Sequence, residues 1–219
     1  MNQILHTAAP AADFKLIAFI SVFVGMLVGM NLLGGKITTI FGVSASVAVF
    51  IVPLAFAITD ISTELYGRSF SRKITFAGML VILILMIYSV IFVSLEPNAR
   101  YTHDQAYQTI FGTSLRIMLA SIVAFILAQL QDVFIFEKIR QATKGKWLWL
   151  RTNLSTFASE VVDTTVFMYI AFYMITPKFD ALFVLKMIIP YLILKIVFAA
   201  LITPAVYAGV RLLRAENVA

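Results

Sequence analysis

Leu154–Ile175 reads LSTFASEVVDTTVFMYIAFYMI, and the fold turns on whether this stretch crosses a membrane. It is long and apolar enough to do so, since a span needs about 20 mostly apolar residues. Yet it holds Glu160 and Asp163 one helical turn apart. Its nine Leu, Ile, Val and Phe residues return on the order of 4 kcal/mol on the insertion scale, against roughly 5 to 7 for two mid-helix carboxylates. Alone, such a helix hardly inserts. It needs protonation, a polar partner or a wet cavity on that face. At 3.6 residues per turn, Asn153, Thr156, Glu160, Asp163, Thr164 and Phe167 share one stripe, so the polar groups converge on the interior of a bundle.

The rest of the chain supplies that bundle. Of 219 residues, 61% are hydrophobic and 13% charged, against roughly 25% charged in a soluble domain; the mean hydropathy is +0.96. Six apolar windows follow one another: Leu16–Leu33, Val43–Ser62, Ile74–Leu95, Leu115–Phe136, Leu154–Ile175 and Leu182–Tyr207. The expected fold is an all-α integral membrane protein, one bundle of six transmembrane helices. Residues 1–15 form an N-terminal cytoplasmic segment, 16–207 the transmembrane domain and 208–219 a basic cytoplasmic tail. Residues 1–15 lack the pattern of a cleaved signal, so the first window is expected to stay as a helix.

Basic residues set the orientation, because Lys and Arg are retained on the cytoplasmic side of short loops. Arg68, Arg72 and Lys73 follow helix 2; Lys138, Arg140, Lys144, Lys146 and Arg151 lie between helices 4 and 5; Arg211 and Arg214 end the chain. With Lys15 these make eleven, against three (Lys36, Arg100, Lys178) in the opposite loops. Both termini are therefore expected in the cytoplasm. The sequence pI of 9.6 is accounted for by this bias, with anionic lipid as its partner and no nucleic acid bound directly.

Several chemistries are set aside. The chain has no cysteine, so there is no disulfide framework or thiolate metal site. His6 and His103 lie in a terminus and a loop, which removes a histidine metal or catalytic centre within the membrane. No resident cofactor is expected. Gly29–Lys36, GMNLLGGK, misses the phosphate-binding G-x-x-x-x-G-K-[ST] by one residue and follows no strand. Gly25 and Gly29 read instead as a small-xxx-small face of helix 1, suited to packing on a neighbour or a homodimer partner. No H-E-x-x-H and no membrane histidine beside a serine is present, which argues against a membrane-embedded enzyme. No glycine-rich re-entrant segment suggests a channel filter. A solute transporter is the better reading.

Its candidate site is spread over the helices. Helix 2 carries Phe56, Thr59, Asp60, Thr63 and Glu64 on neighbouring faces; Asp60 and Glu64 also suit an interfacial role beside Arg68 and Arg72. Helix 4 aligns Ser121, Phe125, Gln129 and Asp132. In helix 6, Lys195 is near the midplane with Tyr191 a turn before it, the natural partner for Glu160 or Asp163, whereas Lys186 is placed to snorkel. Asn31 adds an amide near the outer end of helix 1. Arg116 at the outer mouth of helix 4 has no assigned role, and Trp147 and Trp149 suit an interfacial belt. Pro53, Pro190 and Pro204 are candidates to break helices at membrane depth. The cavity is expected between helices 2, 4, 5 and 6.

Four segments in order carry a likeness: ITDISTELYG at Ile58–Gly67, AQLQDVFIFEKIR at Ala128–Arg140, DTTVF at Asp163–Phe167, and LKIV at Leu194–Val197. Together they resemble the queuosine precursor transporter family, also called the vitamin uptake transporter family, across all six helices. The resemblance implies a bacterial inner-membrane carrier importing 7-deazaguanine bases, as cyano or aminomethyl precursors or queuine, for tRNA modification. By motif matching it carries Asp60, Asp132, Asp163 and Lys195 over as site positions. At Glu160 the family more often has Asn or Gln.

The residues suit such a base. A guanine-like edge offers a ring N–H and an amine as parallel donors, which one carboxylate of Glu160 or Asp163 can accept as a fork. Phe56, Phe125, Phe167 and Tyr191 offer faces for stacking, worth about 1 to 3 kcal/mol per base. An ionised Glu160 would favour a cationic substituent over a neutral nitrile. Burial disfavours a charged carboxylate, which makes Asp60, Asp132 or Glu160 candidate proton carriers; facilitated diffusion with metabolic trapping serves equally. The runner-up is a substrate-binding subunit of an ATP-driven importer.

Overall fold

The structure, a computed structural model, describes residues 14–40, 42–144 and 147–214. Most of the expected N-terminal segment and the end of the tail lie outside the described residues. Helix α1 spans Phe14–Leu33. A hairpin of β1, Ile37–Ile40, and β2, Val43–Ser46, and a 3-10 turn at Val47–Phe50 lead into α2, Val52–Tyr66. Helices α3, Arg68–Ser94, α4, Asp104–Ala142, α5, Leu148–Phe172, and α6, Ala181–Arg214, complete the chain. Among the described residues five helical segments are long and apolar enough to cross a membrane, in α1, α3, α4, α6 and α2 taken with its 3-10 turn. At 25 residues α5 has the length; the polar stripe through Glu160 and Asp163 lowers its hydropathy. Helix α3 exposes Leu80, Ile84, Ile87 and Ile91, a surface that belongs against lipid. This is a multi-pass membrane protein.

The hairpin departs from an all-helical fold. The window expected as helix from Val43 begins instead as β2, paired antiparallel with β1 from Ile37 against Ser46 to Ile40 against Val43. Gly42, at φ 81°, makes the reversal in a region that glycine enters without a Cβ penalty. Ser46 then starts the next element. Its hydroxyl donates to Gly34 O at 2.6 Å and accepts from Ala48 N at 3.1 Å, the local bonding by which serine competes with helix. Pro53 sits in the first turn of α2, where its missing N–H costs nothing. It begins a helix and breaks none. Pro190 and Pro204 likewise lie inside α6, which runs on through both for 34 residues.

One end of the bundle carries the basic connections, namely the α2–α3 and α4–α5 joints and the end of α6. Only Gly67, at φ 82°, separates α2 from α3. Trp147, left-handed at φ 58°, precedes α5 and is exposed; the Trp149 side chain lies outside the described residues. The opposite end is filled by the hairpin. Ala45 and Val49 are wholly buried there with Ile117, Met168, Phe172 and Val184. Arg116 is fixed at that end too, donating to the carbonyls of Ile170 and Tyr173. It holds the last turn of α5 against α4, satisfying helix carbonyls that have no partner of their own.

Within the chain the helix-1 glycines pack on no close neighbour: among the described residues nothing lies within 4 Å of a Cβ built on Gly25, and Gly29 meets only Ile51 at 3.9 Å. The close crossing of α1 depends on Gly78 of α3, where an added Cβ would come 2.3 Å from Leu27 Cδ1. Phe23, Leu27, Ile82 and Met118 pack around that crossing.

Candidate functional site

A cavity of about 410 Å³ lies inside the bundle, lined by residues of all six helices. The polar stripe of α5 faces it: Thr156, Glu160, Asp163, Thr164 and Phe167 all line the wall. The Asn153 side chain lies outside the described residues. From α4 come Ser121, Phe125, Gln129 and Asp132, and from α6 Tyr191 and Lys195. The periodicity that aligned these residues in the sequence holds on each helix.

Lys195 is the centre of the arrangement. Its side chain is buried, yet its ammonium pairs with Glu160, stands 3.8 Å from Asp163 Oδ2 and donates to Thr164 Oγ1 at 3.3 Å. The Phe56 ring lies 5.3 Å from Nζ, a cation–π distance. A buried ammonium is tolerated only when paired and hydrogen-bonded, and all four partners come from α2 and α5. Both carboxylates remain about a third exposed to the cavity, at 37% for Glu160 and 34% for Asp163. One cation therefore serves two anions. The spare acceptor oxygens can accept from groups that bring their own donors.

Two expected site residues stand elsewhere. Asp60 is exposed and does not line the cavity. On α2 the lining residues are Val52, Ala55, Phe56 and Thr59, whose mean direction is about 90° from Asp60 at roughly 100° per residue. Asn31 is buried behind the wall. Its amide donates to Leu27 O at 2.8 Å and its carbonyl oxygen accepts from Ser121 at 2.8 Å, so it steadies a lining residue of α4 from α1. Asp132 does reach the cavity, with Ser159 Oγ 3.4 Å from its Oδ1.

Helices α1 and α3, which were not expected to border the cavity, complete the wall. Phe23, Leu27 and Met30 contribute from α1; Arg72, Thr75, Phe76 and Met79 contribute from α3. Phe76 meets Phe125 edge to face, with centroids 5.6 Å apart, giving an aromatic patch between α3 and α4. Arg72 is exposed, at the side of the cavity nearer the basic end. The signal for it was present: 72, 75, 76 and 79 follow the i, i+3, i+4, i+7 rule. Starting the helix at Ile74 concealed it.

Comparisons with known proteins place the chain in a family. A family model described as "Putative vitamin uptake transporter" matches residues 46–209, a segment that includes every charged residue of the cavity. The "Probable queuosine precursor transporter" of Bacillus subtilis (strain 168) is 33% identical over 148 residues, 67% of this chain and 65% of that one. The "Queuosine precursor transporter" of Escherichia coli (strain K12) is 29% identical over 164 residues, 73% and 70% of the two chains. A "Probable queuosine precursor transporter" of Haemophilus influenzae is 33% identical over 133 residues, 59% and 52%. The match thus spans just under two thirds of the Bacillus protein and about half of the Haemophilus one. No solved structure gives a significant match.

Proposed function

We propose, on the premise that the chain belongs to the vitamin uptake transporter family, that it imports queuosine precursors, as 7-deazaguanine bases, across a bacterial inner membrane. The relatives' names support a queuosine precursor as cargo. The observation that carries the reading is the lysine shared between two carboxylates on the cavity wall. A guanine-type edge presents two donors and then a carbonyl acceptor. One carboxylate of α5 accepts the two N–H groups as a fork, and the Lys195 ammonium donates to the adjacent carbonyl. Phe56 and Phe167, which line the same cavity, supply faces for the ring. A site built to bond a polar edge rejects analogues lacking it by large factors, because its own buried groups are then left unpaired.

The positive-inside rule supports six spans with both termini and the basic end in the cytoplasm. On that orientation the cavity stands nearer the cytoplasm and the hairpin closes the outer side. A proton carried on a cavity carboxylate would couple uptake to the pH gradient. The test is purified chain in liposomes given labelled 7-deazaguanines without ATP. Accumulation by the chain alone is the expected result, and a response to an imposed pH gradient identifies proton coupling. Uptake that appears only when an ATP-hydrolysing partner is supplied would replace this reading with that of a binding subunit. No binding of any 7-deazaguanine would remove the substrate assignment.

A further inference from the structure

Resting on that substrate reading, we infer that Arg72 reads the substituent on the five-membered ring of the base, admitting hydrogen-bond acceptors and repelling cations. The levels of the helices place it. Gln131 Nε2 reaches Ala158 O at 3.4 Å and Ser159 meets Asp132, so Gln129 on α4 stands within a turn of Glu160 on α5. Phe76 meets Phe125 across α3 and α4. Arg72 lies one turn from Phe76, and Gln129 one turn from Phe125, both toward the basic end because the two helices run antiparallel. Arg72 therefore shares its level with the carboxylates but sits on α3, whereas they sit on α5. All of these residues line the one cavity.

The charge balance gives Arg72 its role. Lys195 pairs with Glu160, so the carboxylate that was expected to draw a cation already has one beside it, shared with Asp163. Among the described residues Arg72 makes no ion pair or hydrogen bond; its five donors stay available. A base whose donor edge is held by α5 and Lys195 turns its five-membered ring away from them, toward the α3 and α4 wall. There the guanidinium fork meets whatever the ring carries. A nitrile nitrogen accepts from it, as acceptor groups on base edges accept from arginine. An aminomethyl ammonium meets a like charge there; Gln129 offers only a dipole, and the nearest carboxylate of that wall, Asp132, stands about a turn further toward the basic end.

The test measures binding of three compounds to the solubilised full chain: unsubstituted 7-deazaguanine, its cyano derivative and its aminomethyl derivative. The natural sequence should prefer cyano over aminomethyl. Arg72→Gln should flatten that preference, and Arg72→Glu should move the ratio toward the cation by about tenfold or more, each read as the ratio of the two substituted compounds so that a change common to all ligands cancels. The Tm of each solubilised variant shows that it is folded. Should either variant fold poorly, Arg72→Lys keeps a cation and a similar stem; it should go on excluding the aminomethyl compound while losing part of the nitrile affinity. A cyano to aminomethyl ratio unchanged across all variants overturns the role of Arg72 and leaves the substrate reading intact. If none of the three compounds binds the natural chain, the substrate reading fails and takes this inference with it.

Discussion

At Lys195 a single ammonium holds together two carboxylates, a hydroxyl and an aromatic face. Lys195→Met leaves Glu160 and Asp163 facing each other without a cation. Breaking a fully buried pair costs roughly 3 to 5 kcal/mol; both carboxylates reach the cavity here, so the loss of stability should fall below that, read as a lowered Tm. Adding Glu160→Gln should recover part of the Tm, because the repulsion between the two carboxylates is gone and only Asp163 is left without its cation, while substrate binding stays lost. Recovery of binding in the double variant would show that Lys195 is structural only. Asp163→Asn should weaken a guanine-type ligand by about tenfold or more, since an amide offers one acceptor where a carboxylate offers two. This pairing was legible in the sequence because an ionisable residue in mid-membrane demands a partner, and Lys195 was the cation at matching depth. The place of Asp60 off the cavity wall was not legible, for the opposite reason. Its helix is amphipathic near its end, and residue type alone does not say which of two polar faces meets the cavity.

At the scale of elements, α4, α5 and α6 follow from apolar length and period, and their lining residues follow with them. The hairpin does not, because four-residue strands of Ile, Thr, Val and Ser are too short to separate from the apolar window that follows them. Its anchor is Gly34. The residue donates its N–H to Met30 O at 3.1 Å, and an added Cβ would come 2.3 Å from that same carbonyl oxygen. Backbone cannot step aside as a flexible side chain can. Gly34→Ala should therefore cost about 1 to 3 kcal/mol as overpacking does, whereas Gly25→Ala, with nothing within 4 Å, should leave the Tm unchanged. Equal thermal shifts in the two would mean that the hairpin does not depend on this close approach. The α1 and α3 walls were illegible for a related reason. Phe23, Leu27 and Phe76 read as ordinary lipid-facing apolar residues, and only the Gly78 crossing brings them onto the cavity.

Across the whole molecule, the cavity has polar walls toward the basic end and a packed apolar seal at the other, made by the hairpin with Ile117, Phe172 and Val184. On the proposed orientation a substrate must pass that seal to reach Lys195, so the seal has to open during import. The contact between the hairpin's base and α4 offers a way to hold it shut. A Cβ on Gly35 would stand 3.7 Å from Thr113 Cβ, within the Cβ separation of a disulfide, about 3.5 to 4.5 Å. The natural chain has no cysteine, so the pair Gly35→Cys and Thr113→Cys can cross-link only to itself. Oxidised, this variant should retain binding of the base in detergent, where the basic end is accessible, and should lose uptake into liposomes; reduction with dithiothreitol should restore uptake. The two single-cysteine variants control for the clash of a Gly35 side chain with Thr113 Cγ2, 2.9 Å away, and should transport in both redox states. Full uptake by the oxidised double variant would mean that the substrate enters by another route, and that the hairpin is a fixed part of the wall instead of its outer gate.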